Sequence, residues 1–505
     1  MHRHFRWLTG LVALLLLGTL LAACGGTAPA TTTPAATTGQ PPAATTAPEP
    51  PGATTAATTE QATTAATTAA TTTATTEQPT TASTGGTAAG GNLQIIWFAW
   101  APCQALGELV KGYKDASVEV RCVPISQWHD QIFTDFAAKG GADIVILDSQ
   151  FIGEAVAGGH IIELTDWMKG NVEVDDYVPA ALSAYGEYPA GSGKYYGVAA
   201  EGDTQMLVYR KDVFDNQAVK GGFQHWKNGK DLAVPTKWTD LLEIAQFIKA
   251  NPDLGSVPNG YTTFWCGTKA CYDQVATVWN QMAWSFGGEI WDPKTYKVQG
   301  VINSDTNVKA LQFAADLFKT GPEGSGNFTF DETVDAICSG SVAMTTIWFG
   351  FGPAFLDKSK CKQSDNLAFD LVPGEVKHIT SLGGMGLHVS AYTKNKDAAL
   401  AFVKWFESKE TQLAWARLGG FSARKSVLAS DDFQKAAPYN PIFAKAYQDV
   451  RDFWNVPEYN QLLQVQMEQL NLAITGQADP KQALDTIAED QQRIFDEAYP
   501  NGPPK

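Results

Sequence analysis

Aromatic rings and carboxylates gather at a few points of this sequence, beside glycines or at the ends of apolar runs. Trp97, Phe98 and Trp100 end NLQIIWFAW, and Asp148 and Ser149 end ADIVILDSQ. Glu201 and Asp203 sit inside YYGVAAEGDTQMLVY, and Asn280 and Trp284 inside DQVATVWNQMAWSFGG. Trp348 ends VAMTTIW, and Gly384 lies in LGGMGLH. Flat aromatic rings can serve as platforms for the apolar faces of a small ligand, and polar side chains exchange hydrogen bonds with its edges. These residues supply both. Core packing explains single aromatics as readily, because strand alternation turns only some of them to one side. Trp279 and Trp284 stand about 140° apart on a helix, so one can face a cleft while the other packs inside.

Glu201 and Asp203 also admit a second chemistry, the acid and base of an anchored extracellular glycoside hydrolase, whose carboxyls stand roughly 5 to 9.5 Å apart. Residues two apart on a strand are more commonly a polar face or a hinge capped by acids. No GxSxG, HExxH or P-loop pattern occurs, and GGMGLH and GFGPAF lack the full phosphate-cradle spacing. His129, His160, His225, His378 and His388 show no ligand spacing with each other or with cysteines, which argues against a metal site. No cofactor is implied.

The elements that must position these groups alternate. NLQIIWFAW is a β-rich run, ALGELVKGYKD has helical spacing, and VEVRCVPI reads as a second strand, together a βαβ unit. SQWHDQIFTDFAAKG is amphipathic, and ADIVILDSQ is apolar enough to be buried on both faces. The first lobe reads as doubly wound, with ligands expected at the carboxyl ends of its strands. The stretch Gly197 to Tyr209 has strand character, interrupted by Glu201-Gly202-Asp203-Thr204. Such an interrupted strand suits a crossing between two lobes.

Ahead of this part, Arg3 and Arg6 precede an apolar stretch, Leu11 to Leu21, too short to span a bilayer as a helix of roughly 20 residues. Leu21-Ala22-Ala23-Cys24 resembles the bacterial lipobox, which implies cleavage after residue 23, a lipid on Cys24 and a place on the outer face of the cell membrane. From Gly25 to Gly91 there is no aromatic residue and only Glu49, Glu60 and Glu77 are charged, so this Thr/Ala/Pro tract (24–91 with the cysteine) is expected to be disordered. As a coil it reaches roughly 45 Å. The chain carries 37 Lys+Arg against 53 Asp+Glu, a net charge of −16, nearly all of it beyond residue 91. That balance argues against nucleic acid or an anionic membrane surface as the main target. The six remaining cysteines suit an exported chain, and pairing of chain neighbours is expected: Cys103 with Cys122, Cys266 with Cys271, Cys338 with Cys361.

The blocks GADIVILDSQFIGEAVAGGHIIELTDW, YYGVAAEGDTQMLVYRKDVF, PTKWTDLLEIAQFI, FGGEIWD, SGSVAMTTIW and LGGMGLHVSAYTKNKDAALAFVKWFESKETQ follow one another across nearly all of 92–505. In that order they resemble the extracellular solute-binding proteins (family 1) of ABC importers, particularly the carbohydrate-binding branch. The resemblance implies an α/β, two-lobed periplasmic-binding-protein-like fold of type II with a hinge and an interlobe cleft. It also implies a monomer that binds a sugar or polyol without turning it over and hands it to ABC permease subunits. Two features depart from the family: Lys237 precedes Trp238 where a capping Thr is usual, and the paired cysteines are not general.

Overall fold

The computed structural model describes residues 91–503. The expected signal (1–23), Cys24 and the tract up to residue 90 lie outside the described residues.

β1 (Asn92–Phe98) pairs in parallel with β2 (Ser117–Val123), Trp97 opposite Cys122, and on its other side with β3 (Ile144–Asp148). Two parallel neighbours require crossovers, which α1 (Ala101–Leu109) and α2 (Ile125–Ala137) provide. All five residues of β3 are buried, in keeping with its apolar sequence. On β2 the exposed positions alternate and include Glu119 and Arg121, the charged pattern that discourages further pairing at a sheet edge.

β4 (Val198–Arg210) and β8 (Thr380–Val389) join this half to the other. β8 lies antiparallel to β3 and to the first part of β4, Val198–Thr204. From Gln205 onward β4 changes partners and pairs with β6 (Val342–Trp348) and β7 (Leu367–Leu371). β5 (Asn259–Thr262) runs parallel to β6, and β9 (Val450–Arg451) joins the start of β8. The order is β2-β1-β3-β8-β4-β6-β5. The crossing expected at Glu201–Thr204 is therefore present, but the expected interruption is not. β4 is continuous, and a register shift between Ala199 and Glu201 accommodates the polar residues as a bulge. Because Glu201 and Asp203 are buried and bonded to backbone N–H groups, the chain has no need to leave the sheet to solvate them.

In the second half, every residue of α3 (Gln274–Ser285) is buried. α4 (Asp305–Phe318), β8 and, from the C-terminal region, α6 (Tyr459–Ile474) pack around it. α5 (Phe330–Ser339) lies between α4 and α6 in the chain, and the Glu332 carboxylate reaches back to Thr329 N (2.9 Å), fixing the turn that aims Phe330. The structure contains the three neighbour disulfides. Cys103–Cys122 ties the first turn of α1 to β2.

Candidate functional site

A cavity lies beyond the carboxyl ends of β1 and β3, where β4, β6 and β8 meet them. Six residues singled out in the sequence line it: Phe98, Trp100, Asp148, Asp203, Trp348 and Gly384. Phe98 and Trp100 stack with centroids 4.7 Å apart and planes 25° from parallel, and Trp348 stands nearly parallel to Phe264 behind it at 6.3 Å. These stacks hold each ring by the ring behind it. The space is narrow, about 50 Å³.

Two glycines permit the close approach. Gly384 has φ +94°, and a Cβ there would lie 2.3 Å from the Glu201 carbonyl oxygen, so β8 can pass β4 here only with glycine. A Cβ on Gly350 would meet the Trp100 ring at 2.4 Å; its absence lets that indole close over the Gly350 N–H, which donates to Asp203.

The carboxylates are buried without a cation: among the described residues no lysine, arginine or histidine lines the cavity. Asp203 accepts from Thr204 N (2.8 Å) and Gly350 N (3.3 Å); burial nevertheless pushes its carboxyl up to about 8, the backbone N–H groups offsetting only part. Asp148 accepts from Tyr272 Oη (2.9 Å), Ser149 Oγ (3.1 Å) and Gln150 N (3.4 Å). It too is pushed well up, first by burial and then by the charges of Asp273 and Asp452. Burial raises Asp273, which accepts from Gln150 Nε2 (3.2 Å), to about 7. Asp203 is therefore largely protonated near neutrality and can both donate to and accept from a hydroxyl.

The remaining candidates stand elsewhere. Ser149 is buried behind Asp148 and orients it. Trp97 is fully buried and meets Trp100 edge-on at 5.6 Å, supporting a lining ring without lining the cavity itself. Glu201 is fully buried away from the cavity, where Oε2 accepts from Phe421 N (2.9 Å), and burial drives its pKa well up. Asn280 Oδ1 accepts from Gln466 Nε2 (2.6 Å) inside the α3–α6 contact. Trp284 is 1% exposed, with the Arg451 guanidinium 5.0 Å above its ring. A cleft-facing role for Trp97, Ser149, Glu201, Asn280 and Trp284 is thus corrected. Helical pitch does separate Trp279 from Trp284, but α3 is enclosed on all sides and both are core. Glu201 and Asp203 do not share the cavity, and both are committed to backbone donors, which removes the paired acid and base that a glycosidase needs.

Sequence reasoning missed Gln150, Tyr272, Asp273 and Phe330, all of which line the cavity. Gln150 directly follows two chosen residues and could have been included. Tyr272 and Asp273 follow Cys271 in a loop whose folding back nothing in the local pattern announces. Among the described residues no helix is long and apolar enough to cross a membrane.

The sequence matches the family described as bacterial extracellular solute-binding protein over residues 101–413. It is 23% identical over 320 residues (63% of this chain, 67% of the relative) to a probable amino-acid ABC transporter periplasmic-binding protein of Sinorhizobium fredii. It is 24% identical over 393 residues (73% and 84%) to the mannitol-binding protein of Pseudomonas aeruginosa. In structure it is similar to an ABC transporter solute-binding protein from Agrobacterium radiobacter K84 in complex with ribitol, with TM-score 0.67 and 25% identity over 80% of this chain and 99% of that one. These relatives are binding proteins of transporters, not enzymes. With its two sheet halves joined through β4 and β8, and a family match covering more than half its length, this chain belongs to the bacterial extracellular solute-binding proteins.

Proposed function

We propose that this protein captures a sugar or related polyol outside the cell and delivers it unaltered to an ABC permease. Phe98, Trp100, Asp148, Asp203 and Trp348, with the backbone at Gly384, form its site. The observation that carries this reading is the lining itself, aromatic faces interleaved with carboxyl and amide groups that suit C–H faces and hydroxyls. An amino acid is the alternative suggested by one relative. Its α-carboxylate would need a cationic or N–H-rich partner, and among the described residues no basic side chain lines this cavity. The mannitol- and ribitol-binding relatives support the polyol reading.

The space is far below the roughly 300 Å³ usual for a ligand pocket, so the two halves must part at β4 and β8 to admit a solute and then close on it. Residues 1–23 act as a lipoprotein signal, Cys24 carries the lipid, and 24–91 tether a monomeric two-lobed domain, 92–505, to the outer face of the cell membrane.

Calorimetry with mono- and oligosaccharides, polyols and amino acids, with product analysis of each mixture, tests the reading. Saturable binding of a sugar or polyol without consumption is expected. Released product, or binding of amino acids alone, overturns it.

A further inference from the structure

A second, larger space adjoins the cavity. It is a groove of about 580 Å³ between α2 and α6, with His129, Phe151, Asn460, Gln464 and Asn471 on its walls. Its lining joins amide groups that can meet hydroxyls to charged side chains, Asp130, Lys269 and Glu468. The inner cavity and the groove share two residues, Tyr272 and Ile125, which form the wall between them.

Tyr272 is held firmly in that position. Its hydroxyl lies 2.9 Å from Asp148 Oδ2 and 3.1 Å from Gln150 Oε1, across the cleft from its own loop. Its ring sits among Phe151 (5.9 Å) and Trp128 (6.3 Å). Its backbone stands at φ +59°, ψ −126°, a conformation a tyrosine adopts only where its surroundings impose it. With the halves closed, the ring is thus anchored at its tip, by its aromatic neighbours and by its backbone.

We propose that Tyr272 limits the length of ligand this protein accepts: its ring walls off the inner cavity, once that cavity has opened to admit a solute, from the outer groove, and without it the groove takes the following units of an oligosaccharide. This rests on the carbohydrate reading above. Tyr272→Gly tests it, because glycine is at ease in that backbone conformation and deletes the whole ring. Ile125→Ala opens the same wall from the opposite side should the first variant fold poorly. Tyr272→Phe keeps the wall and removes only the hydroxyl.

Calorimetry on the folded proteins would use D-mannitol and D-glucose as single-unit probes and maltose, maltotriose, maltotetraose and arabinotriose as longer ones. Wild type and Tyr272→Phe are expected to prefer single units. Tyr272→Gly or Ile125→Ala should shift the ratio of trimer to single-unit affinity at least about tenfold toward the trimer. Equal binding of short and long probes by wild type overturns the wall and leaves the carbohydrate reading standing. So does an unchanged ratio in both opened variants, or an equal shift in Tyr272→Phe. Binding of none of the probes by wild type overturns both.

Discussion

Replacing Asp203 by Asn should change the way stability depends on pH, by an amount that follows from its burial. The carboxyl is raised from its ordinary 3.8 to about 8 because it is enclosed with only backbone N–H partners. A carboxyl raised on folding contributes stability that is fully present below its unfolded pKa, near 4, and is lost as pH rises through its folded pKa, near 8. Each unit corresponds to about 1.4 kcal/mol. Between about pH 5 and pH 8 this one group therefore withdraws about 3 to 4 kcal/mol from the wild type. Asn keeps the shape and an oxygen for the Thr204 N–H but cannot ionise. The stability of Asp203→Asn relative to wild type should thus rise by that amount across the interval, reaching its largest value at the alkaline end. Urea unfolding followed by tryptophan fluorescence at several pH values, at constant ionic strength, measures the gap. Asp148, Asp273 and Glu201 are raised in the same direction and present in both proteins, so subtraction largely removes them. Parallel stability profiles for the two proteins would refute the claim that burial keeps Asp203 protonated.

Other substitutions separate site from scaffold. Trp348→Ala should weaken binding of the preferred sugar or polyol about tenfold, the loss of one aromatic platform, as read by calorimetry. Trp284→Ala should instead cost about 3 to 5 kcal/mol of stability in chemical denaturation, because it empties a core position under Arg451. Gly384→Ala should destabilise by about 2 kcal/mol or more, measured in the same way, since a Cβ cannot be placed beside the Glu201 carbonyl at positive φ. Replacing Cys103 and Cys122 together by Ser should cost about 3 kcal/mol, from releasing a loop with a sequence separation of 19. Mass spectrometry before and after reduction should show three bonds, each joining chain neighbours.

Local pattern was enough to read the βαβ start, the buried apolar β3, the neighbour disulfides and the crossing at β4, because each depends on residues close in the chain. Period-2 and period-3.6 apolar spacing report which face an element buries whatever covers that face. The lining residues just beyond the ends of β1 and β3, Trp100 and Asp148, were legible for the same reason: a strand end points to one edge of a sheet. Local pattern could not say what stands opposite. Trp284, Asn280 and Glu201 are chemically suited to a sugar, but α3 is enclosed on every side and the segment at Phe421 covers Glu201, so all three are interior. Tyr272 reaches Asp148 and Gln150 across more than a hundred residues of chain, and Phe330 arrives from another helix altogether. The sequence alone determined the class of protein and the edge of the sheet at which a ligand would be met. Only tertiary packing decided which rings and carboxyls face that edge, because facing is a relation between elements distant in the chain and no single segment encodes its partner.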